Sequence, residues 1–294
     1  MKITMRGVRG SIPVPGPETA IYGGNTTCHQ IETDEGDLII LDGGTGIRQL
    51  GNELLDKLPV TCSIFITHTH WDHIQGLPFF LPLFIPGNNI NIYGCFDPVY
   101  MKDLKAILSQ QMEYCYFPVR ECELNANINY FNLREGEKIQ VGSATVTPIL
   151  TNHPVLNYGY KIEEKDKVFF FTGDFELPSN IYSPEDVEFA DYQKLVEKQQ
   201  KIFTDFIKDA DVVIADSQYT VEEYIVKKGW GHNSFESNID LARAANVKQF
   251  YFTHHDPCRT DEQLDAIFDS LKPKFELASN TKFNLAKEGT VIEL

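Results

Sequence analysis

The segment SIFITHTHWDHIQG, residues 63–76, constrains this chain more than any other. Its apolar and β-branched beginning has the pattern of a buried strand, which ends abruptly in His68, His70, Asp72 and His73. Side chains alternate along a strand, so His68 and His70 can converge on one cation, while Asp72 and His73, past the turn, face a second. Clustered imidazoles and a carboxylate buried without such a charge would forfeit their hydration. The segment therefore predicts a metal site at a strand end.

Around it, short β-rich runs alternate with helical patterns. Residues 28–32, 37–41 and 62–67 read as strands with a helix at 45–58 among them; 90–93 reads as a strand and 99–112 as a helix; 139–150 and 167–172 read as paired strands. The order then recurs, with a long helix at 186–209, a buried strand at 212–215, a helix at 234–245, a strand at 249–253 and a helix at 261–271. This is an α/β or α+β chain. It is expected to form one domain over 1–294, built of two similar halves, approximately 1–180 and 181–294, that share one site. The opening MKITMRGVRGSIP lacks the apolar stretch of a secretory signal, and no run reaches the roughly 18 apolar residues of a spanning helix. A cytoplasmic protein without a membrane partner is the expectation. Six cysteines without CxxC spacing read as reduced, mostly buried thiols.

HTHWDH matches the HxHxDH signature of metallo-β-lactamase-fold hydrolases, and later pieces follow in that family's order: His153 in TNHP, Asp174 in FFFTGDF and His254 in FYFTHH. The resemblance covers nearly the whole chain and implies a four-layer αββα sandwich. It also implies two divalent metal ions, one held by His68, His70 and His153, the other by Asp72, His73 and His254, with Asp174 bridging both. GWGHNSF at 229–235, followed by a helical run and FTHHDP, resembles the family's phosphodiesterase branch, which includes the tRNA 3′-processing enzymes and the cyclic-phosphodiester hydrolases. In that branch a histidine matching His232 contacts the phosphate and protonates the leaving alkoxide, and a carboxylate matching Asp216 orients it. The usual GHST-like run reads GHNSF here and keeps the histidine. An aspartate behind an imidazole favours its protonated form and fixes its tautomer, which suits a general acid. The implied reaction is in-line attack on phosphorus by a hydroxide that bridges the ions and is oriented by Asp72 or Asp174. Zinc is the first expectation for a site rich in imidazole with carboxylate, and manganese or iron would fit the same ligands.

Charge then bears on the substrate. Acidic residues outnumber basic ones by 42 to 26, a formal charge of −16, so the global field repels polyanions and weighs against nucleic acid as the main partner. No glycine-rich basic arm of the kind that grips tRNA is visible. The expected substrate is a small phosphodiester, a 3′,5′-cyclic nucleotide or ribosyl cyclic phosphate. The alternatives are tRNA 3′-end processing, thioester or lactone hydrolysis, which would have little use for Asp216 and His232, and a metal-stabilised sensor module without turnover. The glycine- and proline-rich stretch 7–28 reads as an ordered loop that serves or covers a site, with Arg6, Arg9 and Asn25 as candidates for phosphate or sugar contacts. LDGGTG, around Asp42 to Gly46, lacks the spacing of a nucleotide loop, and the family resemblance implies a packing turn there. Between 77 and 135, Phe79, Phe80, Phe84, Tyr100, Tyr114, Tyr116 and Phe117 read mainly as core, because Leu104, Ile107, Leu108 and Met112 make an amphipathic pattern beside them; nucleobase stacking is the alternative. The apolar run 77–85 fits a pocket wall or a homodimer interface.

Overall fold

Phe169, Phe170 and Phe171 are all buried, so the strand that carries them must be covered on both faces. Phe169 and Phe171 pack into one apolar cluster and Phe170 into another, as the two-residue period of a strand requires. In the computed structural model, which describes residues 1–276 and 280–294, this pattern resolves into two seven-stranded sheets packed face to face with helices on both outer faces.

The first sheet contains β1 (Lys2–Gly7), β2 (Cys28–Glu32), β3 (Leu38–Leu41), β4 (Thr61–Phe65), β5 (Asn89–Gly94) and β6 (Asn127–Asn132) in that order. The second contains β7 (Ile139–Val141), β8 (Ala144–Thr151), β9 (Asn157–Glu164), β10 (Lys167–Phe171), β11 (Val212–Asp216), β12 (Gln249–Thr253) and β13 (Lys282–Leu285). The last strand, β14 (Val291–Glu293), returns to pair with β1. Each sheet has an antiparallel meander, β1–β3 or β7–β10, that continues into parallel strands.

The chain changes sheet between Asn132 and Ile139. The helix–strand recurrence visible in the sequence marks only the parallel part of the second sheet. Its antiparallel part is joined by short local connections that look like a continuation of the first half. In particular β9 lies between β8 and β10, so the strands expected to pair directly do not.

Ile3, Ile31, Phe65, Tyr160 and Ile214 fill the space between the sheets. On the first outer face pack α1 (Ile47–Glu53) and α3 (Leu104–Gln110) through Leu50, Leu104 and Leu108. Beside them α2 (Trp71–Ile74) follows the histidine motif. On the second outer face, α4 (Phe189–Phe206), α6 (Phe235–Ala244) and α7 (Asp261–Phe275) bury Phe203, Ile239 and Leu264, with α5 (Val221–Lys227) leading into the 229–235 loop. The helix expected from residue 99 starts only at Leu104, where the Asp103 carboxylate accepts the Ala106 amide proton and caps it. Of the cysteines, Cys28, Cys62 and Cys95 are buried and Cys115, Cys122 and Cys258 exposed, so thiol burial is less general than expected. Among the described residues no helix is long and apolar enough to cross a membrane.

One histidine in this core gives the fold an acid sensitivity. His29 on β2 is fully buried edge-on to Phe171 at a centroid distance of 4.7 Å, and neither ring nitrogen has a hydrogen-bond partner. Burial, reinforced by His73, pushes it down to about 3. The folded pKa lies below the unfolded one, so between them the unfolded chain binds the extra proton. The neutral ring's contribution is full above about pH 6.5 and is lost as pH falls toward 3. His29→Leu should therefore flatten the pH dependence of unfolding, by about 3 kcal/mol between pH 7 and 4.5. Denaturant midpoints at the two pH values measure it, and an unchanged difference between them would show that His29 is not the sensitive group.

Candidate metal centre

The site forms where loops leave the carboxyl ends of strands from both sheets, the place open α/β sheets reserve for ligands. His68, His70, Asp72 and His73 follow β4, Asp174 follows β10, Asp216 ends β11 and His254 follows β12. His153 arrives from the turn after β8, and His232 from the loop between α5 and α6. All nine residues expected from the sequence meet in three overlapping groups: His68, His70, His153 and Asp174; Asp72, His73, Asp174 and His254; Asp174, Asp216, His232 and His254. Within each group one donor atom per residue lies within 4.8 Å of all the others. Asp174 belongs to every group.

The Asp174 carboxylate stands 3.5 Å from His68 Nε2 and 3.8 Å from His153 Nε2 on one side, and 3.0 Å from His73 Nε2 and 3.1 Å from His254 Nε2 on the other. Yet Asp174 Oδ1, His68 Nε2 and His73 Nε2 are buried without a hydrogen-bond partner. Buried polar atoms are rarely left so. Whereas His153 Nε2 pairs with His70 Nδ1 at 3.2 Å and His254 Nε2 with Asp72 Oδ2 at 3.1 Å, these three atoms approach their neighbours without hydrogen-bond geometry, as donors that surround a shared point do. The protonation preferences agree. Burial, reinforced by His73, holds His68 well below the usual imidazole range and so keeps it an electron-pair donor. Burial likewise lowers His70 and His153, each with a neighbouring histidine adding to the effect. Burial would lower His73 and His254 too, but Asp174 and its neighbouring carboxylates outweigh it, leaving His73 raised and His254 at about 9. Two buried carboxylates, Asp72 and Asp174, thus draw positive charge into the second group, a demand that a divalent cation meets.

Supports behind the donors fix which atoms point inward. His73 Nδ1 donates to Asp42 Oδ2 at 2.7 Å, and His153 Nδ1 donates to the Gly231 carbonyl at 2.9 Å, so both rings present Nε2 to the centre. Gly231 has φ of +88°, and a Cβ there would lie 2.3 Å from His153 Nδ1, so only glycine permits this approach. His232 Nδ1 donates to Asp216 Oδ2 at 2.7 Å, which leaves its Nε2 as the free ring nitrogen. The cleft in front, about 450 Å³, is lined by Ser11, Thr69, His70, Trp71, Asp72, Asp174, His232 and His254.

A family model described as the beta-lactamase superfamily domain matches residues 38–255. The chain belongs to the beta-lactamase superfamily. It is a metal-dependent hydrolase of that superfamily. It is 24% identical to a protein named ribonuclease Z from Picrophilus torridus, over 100% of this chain and 98% of the relative. Among solved structures it is similar to yeast PDE1, with a TM-score of 0.68 at 16% identity over 100% of this chain and 99% of the other. It is also similar to the short form of human tRNase Z, with a TM-score of 0.62 at 17% identity over 100% and 99%.

In this superfamily member three supporting residues escaped the sequence reading. Asp42, expected in a packing turn, is fully buried at φ of +62° and accepts from the Thr67 amide and hydroxyl as well as from His73. Glu176 accepts from the Gly229 and Gly231 amides and from the Tyr224 hydroxyl, clamping the loop that carries His232. The Ser11 amide donates to Asp72 Oδ2 at 2.7 Å, so the 7–28 loop does reach the site. A buried aspartate after an apolar strand was the available signal for Asp42; nothing local distinguished Ser11 or Glu176. The arginine and asparagine candidates in that stretch are corrected. Arg6 pairs with Glu53 at 2.6 Å, the buried Arg9 guanidinium donates to the carbonyls of Gly23, Asp256 and Arg259, and Asn25 donates to Glu288. Each is consumed by scaffold contacts. Asp42→Asn is expected to weaken metal binding about 10- to 100-fold, the usual effect of losing a carboxylate behind a ligating histidine; chelator competition measures it, and unchanged affinity would reduce Asp42 to a packing role.

Proposed function

We propose that this hydrolase is a phosphodiesterase that cleaves RNA, with tRNA 3′-end processing as the leading reaction. The observation that carries the phosphodiester assignment is the His232–Asp216 pair at 2.7 Å beside Asp174, because an alkoxide leaving from phosphorus needs a proton. The relatives named ribonuclease Z and the likeness to human tRNase Z favour RNA over the cyclic nucleotide expected from charge. A small cyclic phosphodiester stays as the second reading, supported by the charge of −16 and by a cleft lining without lysine or arginine.

The donor groups divide the work. His68, His70 and His153 would hold one divalent ion and Asp72, His73 and His254 the other, with Asp174 between them; the unpartnered buried nitrogens and carboxylate oxygen fit that role. Zinc suits the imidazole-rich set best, and manganese or iron would fit the same donors. Bound ions supply neutralisation of charge at the phosphoryl oxygens and a more acidic water. Asp216 holds the His232 Nδ1 proton, which leaves Nε2 to carry the proton that the departing alkoxide takes. Ser11 steadies the Asp72 carboxylate.

The test assays purified protein against a tRNA precursor with a 3′ trailer, cyclic AMP and bis(p-nitrophenyl) phosphate, with bound metal quantified. Trailer removal establishes the RNA reading; cleavage of cyclic AMP alone establishes the second. Bound metal without cleavage of any of the three would end the phosphodiesterase assignment.

A further inference from the structure

Trp71, Tyr116 and Phe79 expose 80%, 70% and 52% of their surface around one hollow, although the sequence pattern placed the phenylalanines and tyrosines of this region mainly in the core. Large apolar side chains clustered in water beside a reactive centre mark a binding surface more often than a packing defect. Trp71 stands between Asp72 and His70 in the histidine motif, and with Thr69 it lines both the cleft before the donor groups and a second hollow of about 480 Å³. The far wall of that hollow is an aromatic pair, Phe79 and Phe117, packed edge to face at 5.4 Å. The buried members of the 77–85 run, Leu77, Phe80 and Leu83, anchor this wall in the core of the first sheet.

We infer that this hollow is a nucleobase subsite: it takes the base of the nucleotide that adjoins the scissile phosphate, stacked on the aromatic side chains. The inference rests on the phosphodiesterase reading and specifies what lies beside the phosphate. Continuity supports it, since two residues line both hollows, so one ligand spans them. Chemistry supports it too. The lining mixes aromatic faces, which stack any base, with the amides of Gln75, Gln110 and Gln111, which can bond to base edges. Gln75 and Gln110 already bond to Thr26 and Lys102, whereas the Gln111 amide has no hydrogen-bond partner among the described residues. No cation lines the hollow, so it offers a second phosphate nothing and a flat, uncharged heterocycle a great deal.

The chain holds two tryptophans, and Trp230→Phe leaves Trp71 as the sole indole reporter. In that metal-loaded variant, uridine and adenosine 5′-monophosphates should quench Trp71 fluorescence, and ribose 5-phosphate, which lacks the base, should not. A second measurement compares thymidine 5′-(p-nitrophenyl phosphate) with methyl p-nitrophenyl phosphate, which share a leaving group. The nucleoside ester should have kcat/KM about 10- to 100-fold higher, and Phe117→Ala should collapse that ratio by about tenfold or more, rescued by Phe117→Tyr. Equal quenching by ribose phosphate, or equal kcat/KM for the two esters, overturns the subsite. Failure of both esters while the nucleotides still quench Trp71 overturns the phosphodiesterase reading and leaves the subsite standing.

Discussion

Asp174→Ala should reduce hydrolysis by about a thousandfold or more and leave less than one tightly bound metal per chain, against the roughly two proposed for the parent. The expectation follows from position. Its carboxylate is the one group common to all three donor sets, within 3.8 Å of His68 and His153 on one side and 3.1 Å of His73 and His254 on the other. Removing it takes a negative charge from between two groups of imidazoles, so the cost would fall on both proposed cations at once. Loss of a few kcal/mol of transition-state charge stabilisation corresponds to that factor, since each ~1.4 kcal/mol is tenfold. Metal analysis and steady-state kinetics on the same sample measure it. Activity within about tenfold of the parent, with full metal content, would show that Asp174 is not the shared ligand.

For His232→Ala the size of the effect should depend on the leaving group. A general acid contributes typically 10²–10⁴-fold when the departing oxygen is a poor leaving group, and little when p-nitrophenolate departs without help. Hydrolysis of RNA or an alkyl ester should therefore fall by about a thousandfold while bis(p-nitrophenyl) phosphate falls by about tenfold or less. A uniform loss on both substrates would make His232 a phosphate-binding group instead. Asp216→Asn should show the same split, since the carboxylate holds the imidazole at 2.7 Å. Glu176→Gln should show it in weaker form, since Glu176 touches no donor but pins the Gly229 and Gly231 amides on either side of Trp230, directly before His232.

Most of the donor set was legible because its signals are local. HTHWDH places four donors within six residues, and His153, Asp174, Asp216 and His254 each stand at or just beyond the end of a β-rich run. The strands of the parallel core were legible for a related reason: runs such as 212–216 are buried throughout and read as continuous apolar segments. What failed locally failed where pairing is non-local. The division of the chain between sheets, and the insertion of β9 between β8 and β10, depend on which hydrogen-bond edge each strand finds, and alternation alone carries no partner information. The arginines of the first loop misled because a guanidinium suits a phosphate and a ring of backbone carbonyls equally well.

The amino-acid sequence by itself determined the chemistry available to this protein: the donor types, their placement at strand ends and the superfamily that uses them in that order. Only the tertiary structure decided how those donors act together. Asp174 became common to every group because loops from the strand ends of both sheets converge on it, and Asp42, Ser11 and Glu176 acquired their supporting roles across separations of up to 61 residues. The aromatic side chains of residues 79–117 were likewise sorted by tertiary packing, with Phe80 taken into the core and Phe79 and Tyr116 left exposed around the hollow beside the cleft. The physical reason is common to these cases. A residue's type sets which interactions it can make, whereas burial and the partners within hydrogen-bonding distance determine which one it makes.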